Sequence, residues 1–271
     1  MKTALIGYTG FVGSNICSQY KFTDLYNSKN IAKIKNKKYD LIVSAGIPGT
    51  KWIANKNPTK DLENIKQFIN SIETVQAKKF ILISTEDVYE NPYKVDEKTK
   101  IDSVNVQPYG KNRLFLEKRL KKIFKKSLII IRLPGLIGKN LKKNFIYDFI
   151  HKRKYYLSNS ESMVQVYDLK NIWEDLKKTI KYSLPIINFA PEPVKIAAII
   201  KYVFGISFVN KDKKRFLNYN VFSIYAHYFG SLDNYLYGRK KVLKYIKKFA
   251  DNELKKIPGN GQKKFKDIIY G

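Results

Sequence analysis

Three glycines near the start of the chain constrain its fold more than any other feature. Gly7, Gly10 and Gly13 follow a short apolar run at residues 4–6 and precede a segment whose apolar residues have helical spacing. A strand, a glycine turn and a helix in this order are the context of a dinucleotide-binding loop. Glycine permits the tight turn and a close approach of backbone to ligand, and the N–H groups that open the helix face a pyrophosphate. The pattern predicts a nucleotide-binding loop, with an ordinary tight turn as the alternative.

Apolar runs of strand length alternate with segments of helical spacing over most of the chain. The runs lie at residues 22–27, 39–45, 80–83, 128–133 and 186–190. This alternation predicts an α/β fold with a doubly wound parallel sheet of the Rossmann type. We expect a Rossmann-like domain at residues 1–205, of which 135–170 lie partly in a substrate lobe. Beyond residue 205 the composition shifts to Tyr, Phe, Asn and Lys, which predicts a small C-terminal lobe at 206–271.

The positive charge is the most conspicuous feature of the composition. The chain carries 52 Lys and Arg against 23 Asp and Glu, a net charge of +29. Only six of the basic residues are arginine, the residue that dominates specific base contacts, and the lysines are spread along the chain. A lysine-rich composition is the simpler interpretation, so a dedicated nucleic-acid binder is disfavoured and remains the third alternative. The charge still favours ligands that carry phosphate.

Cysteine content and hydropathy set the expected compartment. Cys17 is the only cysteine, which excludes an internal disulfide framework and fits a reducing interior. No apolar stretch reaches the length of a signal sequence core or of a membrane span. We therefore expect a cytoplasmic protein with no membrane contact. His151 and His227 are solitary, so no metal site is predicted.

The ends of the predicted strands carry the candidate ligand-binding residues, because parallel sheets bind ligands at their carboxyl edge. Asn27 and Ser28 form the tip of the second strand, where an acidic residue would bind the adenosine ribose of NAD. No acid is present there, so NAD or NADP is expected, with a preference for NADP. Ala45 and Gly46 end the next strand, and their small side chains let the backbone pass close to a ligand.

Five separated motifs resemble one known family. They are 9–13 (TGFVG), 84–89 (STEDVY), 109–113 (YGKNR), 132–138 (RLPGLIG) and 189–194 (FAPEPV). Together they are similar to the extended short-chain dehydrogenase/reductase superfamily, in particular its NAD-dependent epimerase/dehydratase group. The resemblance covers residues 1–205, and the stretch 206–271 resembles no family. It implies an NAD(P)-dependent enzyme that acts on a secondary alcohol or ketone. By analogy with the family, that group belongs to a nucleotide sugar. A homodimer is one assembly to expect.

The resemblance also implies which residues contact the cofactor. In chain order they are Gly7, Tyr8, Thr9, Gly10, Phe11, Val12, Gly13, Asn27, Ser28, Ala45, Gly46, Tyr109, Arg113, Pro134 and Leu136.

Catalytic roles follow from the same motifs. Thr85 matches the catalytic Ser/Thr of the family, and Tyr109 matches the tyrosine that moves a proton while the nicotinamide moves a hydride. The family has a lysine four residues after that tyrosine, where this chain has Arg113. An arginine keeps the positive charge but not the compact geometry of an ammonium. A protein that binds NAD(P) without catalysis is therefore the second hypothesis.

Glu86 and Asp87 carry one more alternative. Dehydratases of the family have a Thr-Asp-Glu sequence at this place, and two carboxylates can serve as acid and base for the loss of water. The order here is reversed, Glu before Asp. A capping or solvated pair is the simpler interpretation, and dehydratase chemistry is the other.

Overall fold

The computed structural model describes residues 1–151, 153, 158–213 and 216–257. Over these residues the helices and strands, in chain order, are β1 (Thr3–Ile6), α1 (Phe11–Cys17), β2 (Asp24–Tyr26), β3 (Lys38–Ser44), α2 (Lys51–Lys56), α3 (Pro58–Ile72), β4 (Gln76–Thr85), β5 (Tyr93–Val95), α4 (Pro108–Phe124), β6 (Leu128–Leu133), β7 (Gly135–Ile137), α5 (Phe145–Ile150), β8 (Met163–Val164), β9 (Val166–Asp168), α6 (Ile172–Lys181), β10 (Ile186–Asn188), β11 (Val194–Lys195), α7 (Ile196–Phe204), β12 (Asn220–Val221) and α8 (Arg239–Leu254).

Six parallel strands form the central sheet, in the order β2-β1-β3-β4-β6-β10. Leu5 of β1 lies opposite Leu25 on one side and Val43 on the other, which sets the register at the centre. The chain first builds outward from β1 to β2 and then crosses to the other side of β1. That reversal between β1 and β3 opens a crevice at the carboxyl edge, where sheets of this type bind ligands. The predicted doubly wound α/β fold is confirmed.

The core has two layers because successive residues of a strand face opposite sides of the sheet. Leu5 packs with Ile16 of α1 and with α6, α7 and α8 on one side. Ala4 and Ile6 pack with α3 and α4 on the other. Both faces are covered, which explains why the strands read as continuous apolar runs rather than alternating ones.

Three local predictions differ from the structure. The second strand is shorter than predicted and spans Asp24–Tyr26. The prolines and glycine in and around 47–57 predict a loop, but the short helix α2 lies inside it, because six residues are too few to show a helical period. The stretch 163–167 has the sequence of one short strand, but it forms two strands, which break at Gln165. The side chain of Gln165 donates to the carbonyls of Pro191 and Val221, and the chain changes its strand partner there.

The C-terminal region builds onto the carboxyl edge of the sheet. Strand β12 pairs with β5, and α8 packs against α7. The carboxylate of Glu97 fastens this region, since it accepts hydrogen bonds from the backbone of Asn188 (2.8 Å) and Ile224 (2.9 Å) and from the Ser223 hydroxyl (2.7 Å). The domain boundary at residue 205 stays a prediction, and residues 258–271 of the predicted lobe lie outside the described residues. In the part of the chain that the structure describes, no helix combines the length and hydropathy needed to cross a membrane.

Candidate active site

The glycine loop connects β1 to α1 at the crevice, and its glycines are required by packing. Gly7 has a φ of 86°, and a Cβ there would lie 2.3 Å from the Ala45 carbonyl oxygen. A Cβ on Gly13 would lie 2.0 Å from the carbonyl oxygen of Gly7. Neither position accepts a side chain without a shift of the backbone. The loop therefore stays thin, and Thr9 and Gly10 at its tip remain exposed to a ligand.

The tip of β2 lies beside this loop and carries no acid. The amide of Asn27 donates to the Tyr8 hydroxyl at 3.3 Å, and Ser28 is exposed. Asp24, at the other end of β2, instead accepts a hydrogen bond from the hydroxyl of Tyr39. Its carboxylate is thereby held away from the place where a ribose would bind.

Two further predicted cofactor contacts frame the crevice. Ala45 and Gly46 follow β3 and are half-buried, and a Cβ on Gly46 would contact the Ile6 side chain at 2.9 Å. Across the sheet, Pro134 is buried after β6, and Leu136 is half-buried on β7. In the glycine loop, Phe11 and Val12 pack against the core.

Strand β4 ends in the candidate catalytic residues. The Thr85 hydroxyl accepts a hydrogen bond from the backbone N–H of Asp87 at 3.2 Å and so caps the 3-10 turn Glu86–Val88. Glu86 is buried, and burial raises the pKa of its carboxyl group well above the usual value of 4.5; the neighbouring charge of Asp87 adds to the rise, and Lys51 opposes it. Glu86 is thus not the solvated group that the simpler interpretation expected.

Tyr109 lies in the first turn of α4 and is 9% exposed. Its backbone N–H donates to the side-chain oxygen of Asn55 on α2 at 2.9 Å. Burial raises the pKa of the Tyr109 hydroxyl, while the charge of Arg113 and a hydrogen bond with Thr85 act in the opposite direction. The two predicted catalytic residues Thr85 and Tyr109 thus lie close enough for the Thr85 hydroxyl to lower the pKa of Tyr109 against the effect of burial.

Gly110 sets the distance between α4 and the end of β4. A Cβ on Gly110 would lie 1.8 Å from the carbonyl oxygen of Asp87. The helix thus packs directly on the turn that follows Thr85, and this close approach delivers the Tyr109 side chain to Thr85. The sequence motif contained this glycine, but only the packing reveals its purpose.

Arg113 is buried, and all four of its terminal N–H groups are used within the protein. Both terminal nitrogens pair with the Asp61 carboxylate, and they also donate to the carbonyls of Tyr109 (3.2 Å) and Pro48 (2.6 Å). The guanidinium stacks on the Tyr109 ring, 4.0 Å from its centroid. It contacts the face of the ring, and no terminal donor remains for a ligand.

A buried polar network supports the site from below. Arg132 forms a bidentate ion pair with Glu117 of α4, at 3.1 and 2.7 Å, and donates to the Tyr89 hydroxyl at 2.9 Å. The Ser84 hydroxyl donates to the same carboxylate at 2.6 Å. These bonds tie the ends of β4 and β6 to α4, so the elements that carry Thr85 and Tyr109 are fixed relative to each other.

Two residues at this site were not predicted from the sequence. The ammonium of Lys51, on α2, donates to Asp87 Oδ1 at 2.7 Å, and the Tyr219 hydroxyl donates to the same oxygen at 2.9 Å. Lys51 lies in the stretch 47–57, for which a loop is predicted, and the aromatic cluster 219–237 indicates either the core of the small lobe or a surface that stacks on a base or sugar. From the sequence, Trp52 is either a lid over a pocket or a core plug, and its 64% exposure excludes the core plug.

The whole fold resembles solved enzymes of nucleotide-sugar metabolism. A dTDP-4-dehydrorhamnose reductase from Clostridium acetobutylicum is 14% identical with a TM-score of 0.70, over 93% of this chain and 99% of that one. The Bacillus anthracis dTDP-4-dehydrorhamnose reductase, in complex with NADP, is 15% identical with a TM-score of 0.71, over 93% and 99%. A UDP-N-acetylglucosamine 4-epimerase from Methanobrevibacter ruminantium, in complex with UDP-N-acetylmuramic acid, is 15% identical with a TM-score of 0.71, over 94% and 99%.

At these identities the likeness establishes the fold, which this chain shares along nearly its full length with these nucleotide-sugar reductases and epimerases. No family model matches the sequence, and no curated protein matches it.

Proposed function

We propose that this chain is an NAD(P)-dependent short-chain dehydrogenase/reductase that reduces, oxidises or epimerises a secondary alcohol or ketone of a nucleotide sugar. One observation carries the proposal. A buried Thr85–Tyr109 pair lies at the carboxyl edge of the same sheet whose reversal point holds the thin glycine loop. This arrangement supports a crevice that combines a proton-transferring phenol with a dinucleotide-binding loop.

In this proposal each residue has a definite task. A bound nicotinamide supplies or accepts the hydride. Tyr109 donates its phenolic proton to the carbonyl oxygen when a ketone becomes an alcohol, and it takes the proton back in the reverse direction. The Thr85 hydroxyl hydrogen-bonds to the same oxygen and to Tyr109, which orients the substrate. Arg113, through its charge, makes the loss of the Tyr109 proton easier.

The glycine loop would hold the pyrophosphate of the cofactor. Support comes from the two glycines whose Cβ atoms the packing forbids, and from the exposed tip at Thr9 and Gly10. Asn27 and Ser28 would receive the adenosine ribose, and the absence of an acid there favours NADP over NAD. Ala45, Gly46, Pro134 and Leu136 would line the rest of the groove.

The substrate class rests on likeness and charge. Solved proteins with this fold bind or act on dTDP and UDP sugars, as their names state. A chain with a net charge of +29 attracts such diphosphates. We expect the enzyme in the cytoplasm, because a single cysteine fits a reducing compartment. We also expect a homodimer, the commonest assembly of soluble proteins, which light scattering would test.

The test is a paired assay on the purified protein. NADPH with a nucleotide 4-keto sugar should be consumed if the enzyme is a reductase, whereas an epimerase should convert a UDP sugar to its epimer without net cofactor loss. A rise in melting temperature with NADP(H), but no turnover of any sugar, would favour the non-catalytic binding protein. A protein that neither binds NADP(H) nor turns over any nucleotide sugar would contradict the proposal.

Dehydratase chemistry is the second candidate, favoured by the unlike environments of two adjacent carboxyls. Glu86 is buried, and burial raises the pKa of its carboxyl group, which is the direction that a general acid needs. Asp87 instead is partly exposed and lies 2.7 Å from the Lys51 ammonium. Adjacent groups with such unlike environments divide the acid and base roles. Loss of water from a nucleotide 4-keto sugar, followed by mass spectrometry, separates this reaction from reduction.

A further inference from the structure

Arg113 carries a positive charge against the Tyr109 ring, yet it is not placed to bind a ligand. Its four terminal donors are bound to Asp61 and to two backbone carbonyls, so its charge acts on Tyr109 through space and no terminal donor is left for a ligand. The guanidinium stabilises the packing of α3, α4 and the loop after β3. A positive charge that contacts substrate must come from another element.

Lys51 is placed to supply that charge. Its ammonium lies 2.7 Å from Asp87 Oδ1 and 3.3 Å from the Tyr219 hydroxyl. Asn55, one turn further along α2, accepts a hydrogen bond from the backbone N–H of Tyr109. One face of this short helix therefore carries Lys51 and also positions Tyr109. Three segments distant in sequence thus meet at Asp87, two residues after Thr85.

The ammonium retains capacity for a further partner. An ammonium has three N–H groups, and the described residues occupy two of them. The Lys51 side chain is 41% exposed, whereas that of Asp87 is 20% exposed. A cation in the first turn of a helix is also disfavoured by the helix dipole, so the helix itself does not explain the lysine. Asp87 and Tyr219 hold the side chain toward the crevice.

We propose that Lys51 is the cation of this active site, binding an oxygen of the nucleotide sugar through its remaining N–H, with Asp87 and Tyr219 orienting it. The proposal rests on the function proposed above. It assigns the substrate, rather than the cofactor, to Lys51, because Tyr219 comes from the C-terminal region and the cofactor loop lies across the crevice at β1. It also gives that region a part in the reaction.

The test compares three lysine variants with the wild type. Lys51→Met should weaken nucleotide-sugar binding about 10- to 100-fold, since it removes a charge-assisted hydrogen bond. Lys51→Arg should restore part of the affinity. Lys56→Met, on the exposed last turn of the same helix, should change binding less than about twofold. NADPH affinity, measured by fluorescence titration, should be unchanged in all three.

A second variant protects the test against a folding defect. Tyr219→Phe keeps the ring but removes the hydroxyl that orients Lys51, and it should weaken sugar binding about 3- to 10-fold with a melting temperature close to that of the wild type. Sugar affinity of Lys51→Met within twofold of the wild type, or a loss of NADPH affinity instead, would overturn the assignment of Lys51 alone. A wild type that binds no nucleotide sugar by calorimetry would overturn both proposals.

Discussion

At the residue scale, Glu86 shows how a buried acid links function to stability. Its carboxyl group has a raised pKa because it is buried beside Asp87, and within the described residues no hydrogen bond to the carboxylate compensates its charge. The folded protein therefore binds this proton more tightly than the unfolded chain. The resulting stability is complete below about pH 4.5, the usual pKa of the group, and is lost as the pH rises through the folded pKa.

Glu86→Gln should accordingly stabilise the protein, and increasingly so at higher pH. We expect an unfolding free energy about 1–3 kcal/mol above the wild type at about pH 8, and a smaller difference at about pH 5. Denaturant unfolding at both pH values measures it. The exposed Glu63→Gln is the control and should show no such trend. A variant that is less stable than the wild type at pH 8 would show that the carboxylate is stabilised after all.

Arg113 was recognised from the sequence as a departure from the family, but its surroundings were not. Asp61 is 52 residues away along the chain, and Pro48 is 65. Spacing on one helix shows only that Arg113 and Tyr109 share a face. The ion pair that consumes the guanidinium is a tertiary contact, which motif reasoning does not contain.

Arg113→Met should destabilise the protein by about 3–5 kcal/mol, because it leaves Asp61 buried without its partner. Thermal unfolding measures the loss. The double variant Arg113→Met, Asp61→Leu removes both charges and should recover much of it. A melting temperature of Arg113→Met equal to that of the wild type would show that the Arg113–Asp61 ion pair does not stabilise the fold.

At the element scale, the site depends on how closely α4 approaches the end of β4. Pro108 and the apolar spacing that follows it predict a helix that carries Tyr109, and α4 confirms it. The continuous apolar run at 80–83 predicts a buried strand, and β4 contains this run and extends beyond it to Thr85. The short helix α2 was missed, although it carries Lys51 and Asn55, because it is held by contacts with α4 and α3 rather than by its own pattern.

Gly110→Ala tests the contact between α4 and the turn after Thr85. The added methyl group would meet the Asp87 carbonyl at 1.8 Å, so the helix must move away and carry Tyr109 with it. We expect a loss of activity of 100-fold or more, in line with about 10²-fold for a misplacement of about 1 Å, together with a lower melting temperature.

Gly49→Ala is the matched control for this substitution. Among the described residues, no atom outside the two chain neighbours of Gly49 lies within 4 Å of a Cβ built there. Activity and melting temperature should therefore stay close to those of the wild type. Equal effects of the two substitutions would mean that the close approach of α4 does not position Tyr109.

At the scale of the whole molecule, the doubly wound parallel sheet follows from patterning, whereas the strand order and the arrangement of the C-terminal region do not. Alternating strands and helices identify a doubly wound sheet because that arrangement buries both faces. The region after residue 205 is joined to the rest by the packing of α8, by short strands and by single groups such as Glu97. Two-residue strands carry no periodic signal, so the role of Tyr219 required the structure.

The net charge of +29 predicts that phosphate-bearing ligands bind by long-range attraction. Raising the ionic strength from about 0.01 M to about 0.15 M shortens the Debye length from about 30 Å to about 8 Å. The Kd for NADP should rise several-fold over this range, and more steeply than the Kd for NAD, which lacks the extra phosphate. Fluorescence titration measures both, and salt-independent affinities would contradict a role for the charge.

The central claim is that Tyr109 transfers the proton at a dinucleotide-dependent site. It is tested most directly by measuring turnover and NADPH affinity together in Tyr109→Phe, with Tyr235→Phe as a control in the C-terminal region. We predict a fall in kcat of about 10²- to 10⁴-fold in Tyr109→Phe with NADPH affinity retained, and little change in the control. A Tyr109→Phe enzyme that turns over its nucleotide sugar at the wild-type rate would contradict the claim.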